Sequence, residues 1–284
     1  MRWRLGRGPS SRHDQKADAM AQHLILQLEA PLMAFGGTMI DAIGPTLEFP
    51  IKSLITGLIA NAVGWRRAER ERHQKLQERI VMGVRLDRPG AELLDYQTAL
   101  LFENEQGWTT RGIPEGRKKS SSYKRGRSGR NELTHQRYRY YRADARVIVA
   151  LRLEPSEDPP TLEEVANALD HPARPLFIGR KTCLPSVPLI AGPPVEAESV
   201  LDALLKWPLA EALSEKGGGR VDFPTEHRIK LVIPGRESTP PGPYRVMRIP
   251  DCRDWIAGVH AGESELYVFS LPSSEFPAGD GARQ

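Results

Sequence analysis

The order of periodic segments in this 284-residue chain predicts an α+β protein. Its first part reads as a ferredoxin-like, RNA-recognition-like domain carrying a long basic insertion, and its last part as a smaller β-rich domain. Three observations carry that reading. One strongly helical stretch follows an initial strand pattern, a second strand–helix–strand run follows the insertion, and the insertion concentrates most of the positive charge. Apolar residues make up 39% of the chain, which excludes wholesale disorder.

Taken in order, residues 1–19 are polar and basic and read as a flexible leader. They lack the apolar core of a secretion signal. A strand pattern runs over 23–29, followed by a Gly/Pro-rich loop from Pro31 to Pro50. Ile51, Leu54, Ile55, Leu58, Ile59, Ala62 and Val63 then recur at helical spacing, between Pro50 at the first turn and Gly64 as a C-terminal cap. A charged helix over about 66–79 leads into a strand over 80–87. Arg88-Pro89-Gly90 turns the chain into another strand at about 92–100. After the insertion, residues 138–153 alternate. Tyr141, Ala143, Ala145, Val147, Val149 and Leu151 face one way; Tyr138, Tyr140, Arg142, Asp144 and Arg146 face the other. Thr161-Leu-Glu-Glu164 is a capping box opening a helix to about Leu169, and 175–178 reads as a short strand. Skipping the charged helix, this is strand–helix–strand–strand–helix–strand, with an extra hairpin between the halves. One such sheet is expected to leave a face open, the face on which RNA-recognition domains bind single strands, although their aromatic signature is absent. Beyond 190, a helix near 196–206 and strands near 227–233, 244–250 and 265–270 form the expected second domain, 191–284.

The net charge of +4 is a sum of unlike parts. Residues 111–142 hold eleven Lys/Arg against two Glu, and residues 1–19 hold five basic against two acidic side chains, leaving the remainder of the chain acidic. A segment so basic, without an apolar amphipathic face, points to a nucleic acid before a membrane. Four of the seven tyrosines, Tyr123, Tyr138, Tyr140 and Tyr141, lie in it. Cations that neutralise phosphates, interleaved with rings that stack on bases, suit a single strand. Tyr141 belongs to the core by its parity, so Tyr138 and Tyr140 are the contact candidates. With them stand Lys118, Lys119, Lys124, Arg125, Arg127, Arg130, Arg137, Arg139 and Arg142. Lys52-Ser53, at a helix N-terminus behind a Gly/Pro-rich loop, is placed to hold a phosphate through backbone N–H groups. Arg180-Lys181, after Gly179, is a second phosphate candidate.

No enzyme motif is present: no P-loop, HExxH, GxSxG or dinucleotide fingerprint, and no acidic cluster for a metal pair. No cofactor, metal or catalytic residue is therefore expected. Cys183 beside Arg180-Lys181 reads as a structural thiol rather than a nucleophile. His135 is the one histidine near the presumed RNA path. Cys183 and Cys252 form no CxxC pair and fit a reducing, cytoplasmic setting. The longest apolar stretch, 54–63, is too short to span a bilayer.

Several of these residues also carry a resemblance. His23-Leu-Ile-Leu-Gln-Leu-Glu-Ala-Pro31, Glu48-Phe-Pro-Ile-Lys-Ser53, Val84-Arg-Leu-Asp-Arg-Pro-Gly90, Asp95-Tyr-Gln-Thr98, Tyr141-Arg-Ala-Asp-Ala145 and Ile178-Gly-Arg-Lys-Thr-Cys183 together resemble the CasD family. These are type I-E Cascade subunits within the repeat-associated (RAMP) superfamily of CRISPR proteins, and the match runs in order over about 20–190. The resemblance implies a ferredoxin-like domain whose inserted hairpin, the thumb, falls at about 101–140. It implies a non-catalytic subunit that holds the 5′ handle of the CRISPR RNA and contacts the backbone and large subunits. By position, Lys52 and Ser53 match the family's basic-Ser pair, Gln97-Thr98 its DYHT run and Arg180-Lys181 its GRK run. Ile51 stands where the family usually has Thr, Phe35 where Trp is common, and Gln97 replaces the usual His, removing a candidate base. The insertion is longer than a typical thumb, which leaves target DNA open as a further partner. The alternative function is a metal-independent endoribonuclease that processes repeat RNA.

Overall fold

In a computed structural model, the structure describes residues 20–37, 39, 41–102, 107–108, 114–115, 124–125, 131–209, 212–213, 220–221, 228–235 and 237–278. In chain order the elements are β1 (Ala21–Glu29), β2 (Leu32–Met33), β3 (Ile43–Gly44), α1 (Lys52–Val63), α2 (Arg70–Arg79), β4 (Ile80–Arg88), β5 (Ala91–Phe102), β6 (Gly107–Trp108), β7 (Pro114–Glu115), β8 (Lys124–Arg125), β9 (Asn131–Ala143), β10 (Arg146–Leu153), α3 (Leu162–Asp170), β11 (Val195–Ala197), α4 (Val200–Lys206), β12 (Ala212–Leu213), β13 (Arg220–Val221), β14 (Arg228–Pro234), β15 (Arg245–Ile249), β16 (Arg253–Asp254), β17 (Val259–His260), β18 (Ser264–Pro272) and a closing 3₁₀ turn at Ser273–Glu275. The architecture is mixed α+β and rich in sheet.

The main sheet has seven strands in the order β11-β1-β10-β4-β14-β18-β15, each antiparallel to its neighbours. Hydrogen bonding thus runs without a break across the boundary expected at 190. β11 pairs with β1, and the three C-terminal strands continue from β4 instead of forming a sheet of their own. The expected strands at 227–233, 244–250 and 265–270 fall on β14, β15 and β18 to within two residues.

One face of the sheet packs against α1 and α3 through Leu24, Leu26, Leu28, Val84, Val147, Val149, Ile55, Ile59 and Val165, all at most 2% exposed. The helical periodicity of 51–63 is this buried stripe. Gly64 ends α1 in a left-handed conformation (φ 86°), with its N–H reaching the carbonyls of Ala60 and Asn61. The capping box of α3 forms in both directions, between Thr161 and Glu164.

The other face is also covered, which corrects the expectation of an open RNA platform. Ile25, Ile148, Ala150, Ile229, Leu231 and Ile233 pack under α4 and Phe276. At the centre lies Arg85, wholly buried, in a bidentate pair with Asp87. It also donates to the carbonyl oxygens of Leu204, Trp207 and Pro208, which fastens the end of α4 onto the sheet. A Cβ at Gly83 would stand 3.0 Å from the Val200 side chain and 3.1 Å from that of Leu204, so a larger residue there would push α4 outward by a few tenths of an ångström.

Three further expectations change. The single strand expected over 138–153 is two: the chain breaks at Asp144 (φ 53°) and passes from one sheet into the other. Residues 175–178 are not a strand. Gly179 (φ 91°) turns the chain so that the N–H of Ile178 bonds the carbonyl of Cys183, and the carbonyl of Ile178 accepts from Ala34. The strand beside β1 comes from 195–197, in a region expected to be helical, because Ser199 caps the helix three residues later through the N–H of Asp202. The charged helix likewise starts at Arg70 rather than 66.

Candidate nucleic-acid interface

β5 and β9 form a long antiparallel hairpin inserted between β4 and β10, paired from Ala91↔Ala143 to Phe102↔Glu132. The left-handed turn at Gly90 (φ 66°) starts it, and a Cβ there would meet the carbonyl oxygen of Ala143 at 2.3 Å. β2 and β3 add to β9 toward its base and β8 at its outer end, so the hairpin belongs to a small second sheet.

Register sorts the candidates onto two faces. Tyr96 stands opposite Tyr138, Leu94 opposite Tyr140 and Thr98 opposite Gln136; these share one face. The rings of Tyr96 and Tyr138 lie 5.0 Å apart, and Tyr96 is 50% exposed. On the other face Gln97 stands opposite Arg137 and Asp95 opposite Arg139. Gln97 and Thr98 therefore cannot act as one unit, and Gln97 donates to the Asp95 carboxylate. Tyr141 is buried, in keeping with its parity. Arg142 sits 3.4 Å from Glu48, which also accepts from Lys230 at 2.6 Å. Those partners, the Lys230 hydrogen bond foremost, hold the Glu48 carboxyl below its ordinary range. Lys124 and Arg125 lie on β8, opposite Glu132 and Asn131. Lys118, Lys119, Tyr123, Arg127 and Arg130 lie outside the described residues.

Of the phosphate candidates outside the hairpin, Ser53 and Arg180 are already engaged, and Lys52 is half-buried. The N–H of Ser53 donates to the carbonyl of Asp251, and Ser53 is buried, so the segment after β15 closes the helix end expected to cradle an anion. Arg180 donates to the carbonyl oxygens of Tyr140 and Gly44, and its guanidinium lies 4.5 Å from the Tyr141 ring. It clamps β3 and β9 to the 178–183 turn. Lys181 is exposed.

Beside these two lies an open groove of about 540 Å³ between α1, the start of α2, the 34–37 loop and the β16–β17 hairpin. Arg67, Arg174, Arg180 and Arg253 line it with Trp65 and Trp255. Burial, reinforced by the like charge of Arg67, lowers the pKa of Arg253. Sequence reasoning missed this groove, because its walls come from residues nearly two hundred positions apart. It also missed Tyr96; only knowledge of the hairpin register sets that ring against Tyr138.

Burial raises the Cys183 thiol, the wrong direction for a nucleophile. Among the described residues no group of three His, Cys, Asp or Glu could hold a metal ion. No helix there is long and apolar enough to cross a membrane. His135 falls on β9 opposite Ala99.

Comparison with known proteins adds three findings. A family model described as CRISPR-associated protein (Cas_Cas5) matches residues 23–267. The CRISPR system Cascade subunit CasD of Escherichia coli (strain K12) is 28% identical over 188 residues, covering 66% of this chain and 78% of that protein. Among solved structures, a chain of a CRISPR RNA-guided surveillance complex aligns with a TM-score of 0.59 at 23% identity, over 92% of this chain and 95% of that one. A structure titled crystal structure of Cas protein aligns with a TM-score of 0.54, also at 23% identity, over 90% and 98%.

Proposed function

The chain belongs to the CRISPR-associated Cas5 family, and on that premise we propose that it is a non-catalytic, RNA-gripping subunit of a cytoplasmic Cascade-type surveillance complex. In this reading it holds the 5′ handle of the guide RNA at the end of the backbone filament, against the backbone and large subunits. The order β11-β1-β10-β4, with α1 and α3 in the two crossovers, supports reading its core as a ferredoxin-like unit of the RAMP type. The β5–β9 hairpin is then its thumb.

The observation that carries the proposal is that hairpin. It presents Tyr96, Tyr138 and Tyr140 on one face and Arg137 and Arg139 on the other, its second strand lying within the most basic stretch of the sequence. Rings for bases and guanidinium groups for phosphates on one slender two-sided arm suit a single strand that runs along it. The main sheet offers no comparable surface among the described residues, since both of its faces are covered. Handle binding itself draws on the family resemblance at Lys52-Ser53 and Arg180-Lys181, where Ser53 and Arg180 act by shaping the site. Target DNA near the foot of the complex remains a further partner for the outer part of the insertion.

The test is RNA retained on the purified chain or its complex. Replacing Lys118, Lys119, Arg125 and Arg127 with Ala is expected to reduce retained RNA sharply. Each lost phosphate contact should flatten the salt dependence of binding by about 0.7 in log–log slope. RNA retention equal to that of the parent chain would sink the thumb assignment. Incubation with labelled repeat RNA in EDTA is expected to leave the RNA intact; a discrete product, abolished by His135→Ala, would establish the nuclease instead.

A further inference from the structure

We infer that β15, the outer strand of the main sheet, docks an extended segment of a partner protein, which joins the sheet as a further strand. The inference rests on the reading of this chain as one subunit of a larger complex, and on none of the RNA contacts. β15 pairs with β18 on one side; among the described residues no strand pairs with its other side. Alternation along β18 shows what that open side offers. Glu265 accepts from the N–H of Gly235, so Glu265 and Tyr267 turn their backbone groups toward β14. Leu266 and Val268 then turn theirs toward β15, where they meet Met247 and Arg245. Val246 and Arg248 are left with N–H and C=O groups pointing away from the sheet. Pro243 and Pro250 bracket the stretch and offer no N–H, which confines an incoming ladder to the residues between them. The opposite edge strand, β11, has only three residues.

The side chains decide which strand fits. Val246 stands opposite Tyr267, and Tyr244 stacks on the same ring with centroids 4.6 Å apart. Tyr244 and Val246 are 44% and 49% exposed, an apolar pair at the rim of the sheet with nothing over it among the described residues. On the other face Met247 and Ile249 pack into the core, and Arg245 lies at its outer end. Arg245 is exposed and forms no hydrogen bond or ion pair among the described residues, whereas Arg248 lies 3.2 Å from Glu265. An unpaired edge is a template for another chain, and charges on it select which chain. Residues 243–250 hold two arginines and no Asp or Glu, so pairing β15 with a second copy would gather four like charges in one ladder. An acidic strand meets the opposite case. It sets an acidic side chain against Arg245 and, one position along and on the other face, an apolar one against Val246. An RNA would leave the outward N–H and C=O groups without their matching ladder.

The experiment compares backbone amide exchange in the full chain alone with exchange in the complex purified through a tag on this chain. Met247, bonded to β18, is expected to exchange slowly in both. Val246 and Arg248 should exchange fast in the free chain and about tenfold or more slower in the complex. Unchanged exchange at both positions overturns the proposal. Slowing in the free chain that grows with its concentration, or slowing produced by RNA alone, gives the edge another occupant and overturns it too. Val246→Pro removes only an outward N–H and keeps the ladder to β18. It should reduce the partner protein retained by about tenfold, and Val246→Ala by less. Arg245→Glu is expected to weaken retention and Arg245→Lys to preserve it; a thermal melt of each variant confirms folding. Full retention by a folded Val246→Pro chain would exclude the edge, and full retention by Arg245→Glu would exclude an acidic segment. If the complex assembles without protection of β15, the edge alone fails. If the tagged chain brings down no partner protein, the reading as a complex subunit fails and the edge falls with it.

Discussion

The seven-stranded sheet and the β5–β9 hairpin are built from similar strands and held by different means. The sheet buries both faces, one beneath α1 and α3 and the other beneath α4 and Phe276, with Arg85 locked between Asp87 and three carbonyl oxygens. Among the described residues, the hairpin shows no core of its own beyond its base. Leu93, Leu94 and Tyr96 are each 40–50% exposed, and a two-stranded ribbon by itself is marginal in water. Stability resides in the first region, and the second supplies the surface proposed for RNA. A protein arranged this way can change its arm without risking its fold.

The largest break in that contrast is expected from Arg85→Ala. It leaves the Asp87 carboxylate buried and the carbonyls of α4's end unsatisfied, and should cost about 3–5 kcal/mol, read as a fall in the urea midpoint. Arg85→Met with Asp87→Leu, which removes both charges, should recover much of that loss. A midpoint unchanged in Arg85→Ala would show that the buried pair does not hold the second face.

In the hairpin the opposite pattern should hold. Tyr96→Ala with Tyr138→Ala is expected to shift the urea midpoint within about 0.5 kcal/mol, since both rings sit on an exposed face. The same variant should lose about 1–3 kcal/mol of RNA affinity for each base no longer stacked. Large destabilisation with unaltered binding would reverse the roles assigned to the two regions.

The smallest effect concerns His23, buried on β1 with Nδ1 near the Ala21 carbonyl and Nε2 without a partner. Burial, the foremost cause, lowers its pKa from 6.5. The unfolded chain therefore takes up the proton first, so stability is complete above about pH 6.5 and falls as the pH drops through the lower folded value. His23→Gln should flatten stability over that window in the folded core while leaving RNA binding at neutral pH as it was. A pH profile of stability identical in the variant and the parent would exclude His23 as its source.

Much of this was readable from local pattern. The 51–63 stripe, the Thr161–Glu164 cap and the parity that buries Tyr141 are each set by spacings of two, three or four residues, so neighbours along the chain suffice to define them. The breaks were less readable. Asp144 in a left-handed conformation lies inside a perfectly alternating run, and alternation cannot distinguish one long strand from two strands in different sheets. The backbone bonds that hold Ser53 and Arg180 were unreadable for a similar reason. The carbonyls that engage them belong to Asp251, Tyr140 and Gly44, which are distant in sequence.

The sequence alone determined where the positive charge is concentrated and the α+β order of elements, because charge and periodicity are properties of short stretches. Only the tertiary structure decided which surfaces are covered and which side chains stand together. Covering the second sheet face with α4, pairing Tyr96 with Tyr138, and gathering Arg67, Arg174 and Arg253 around two tryptophans all depend on contacts between segments far apart in the chain. Such contacts leave no period or spacing to read, since they are selected by the packing of the whole molecule and not by any one segment.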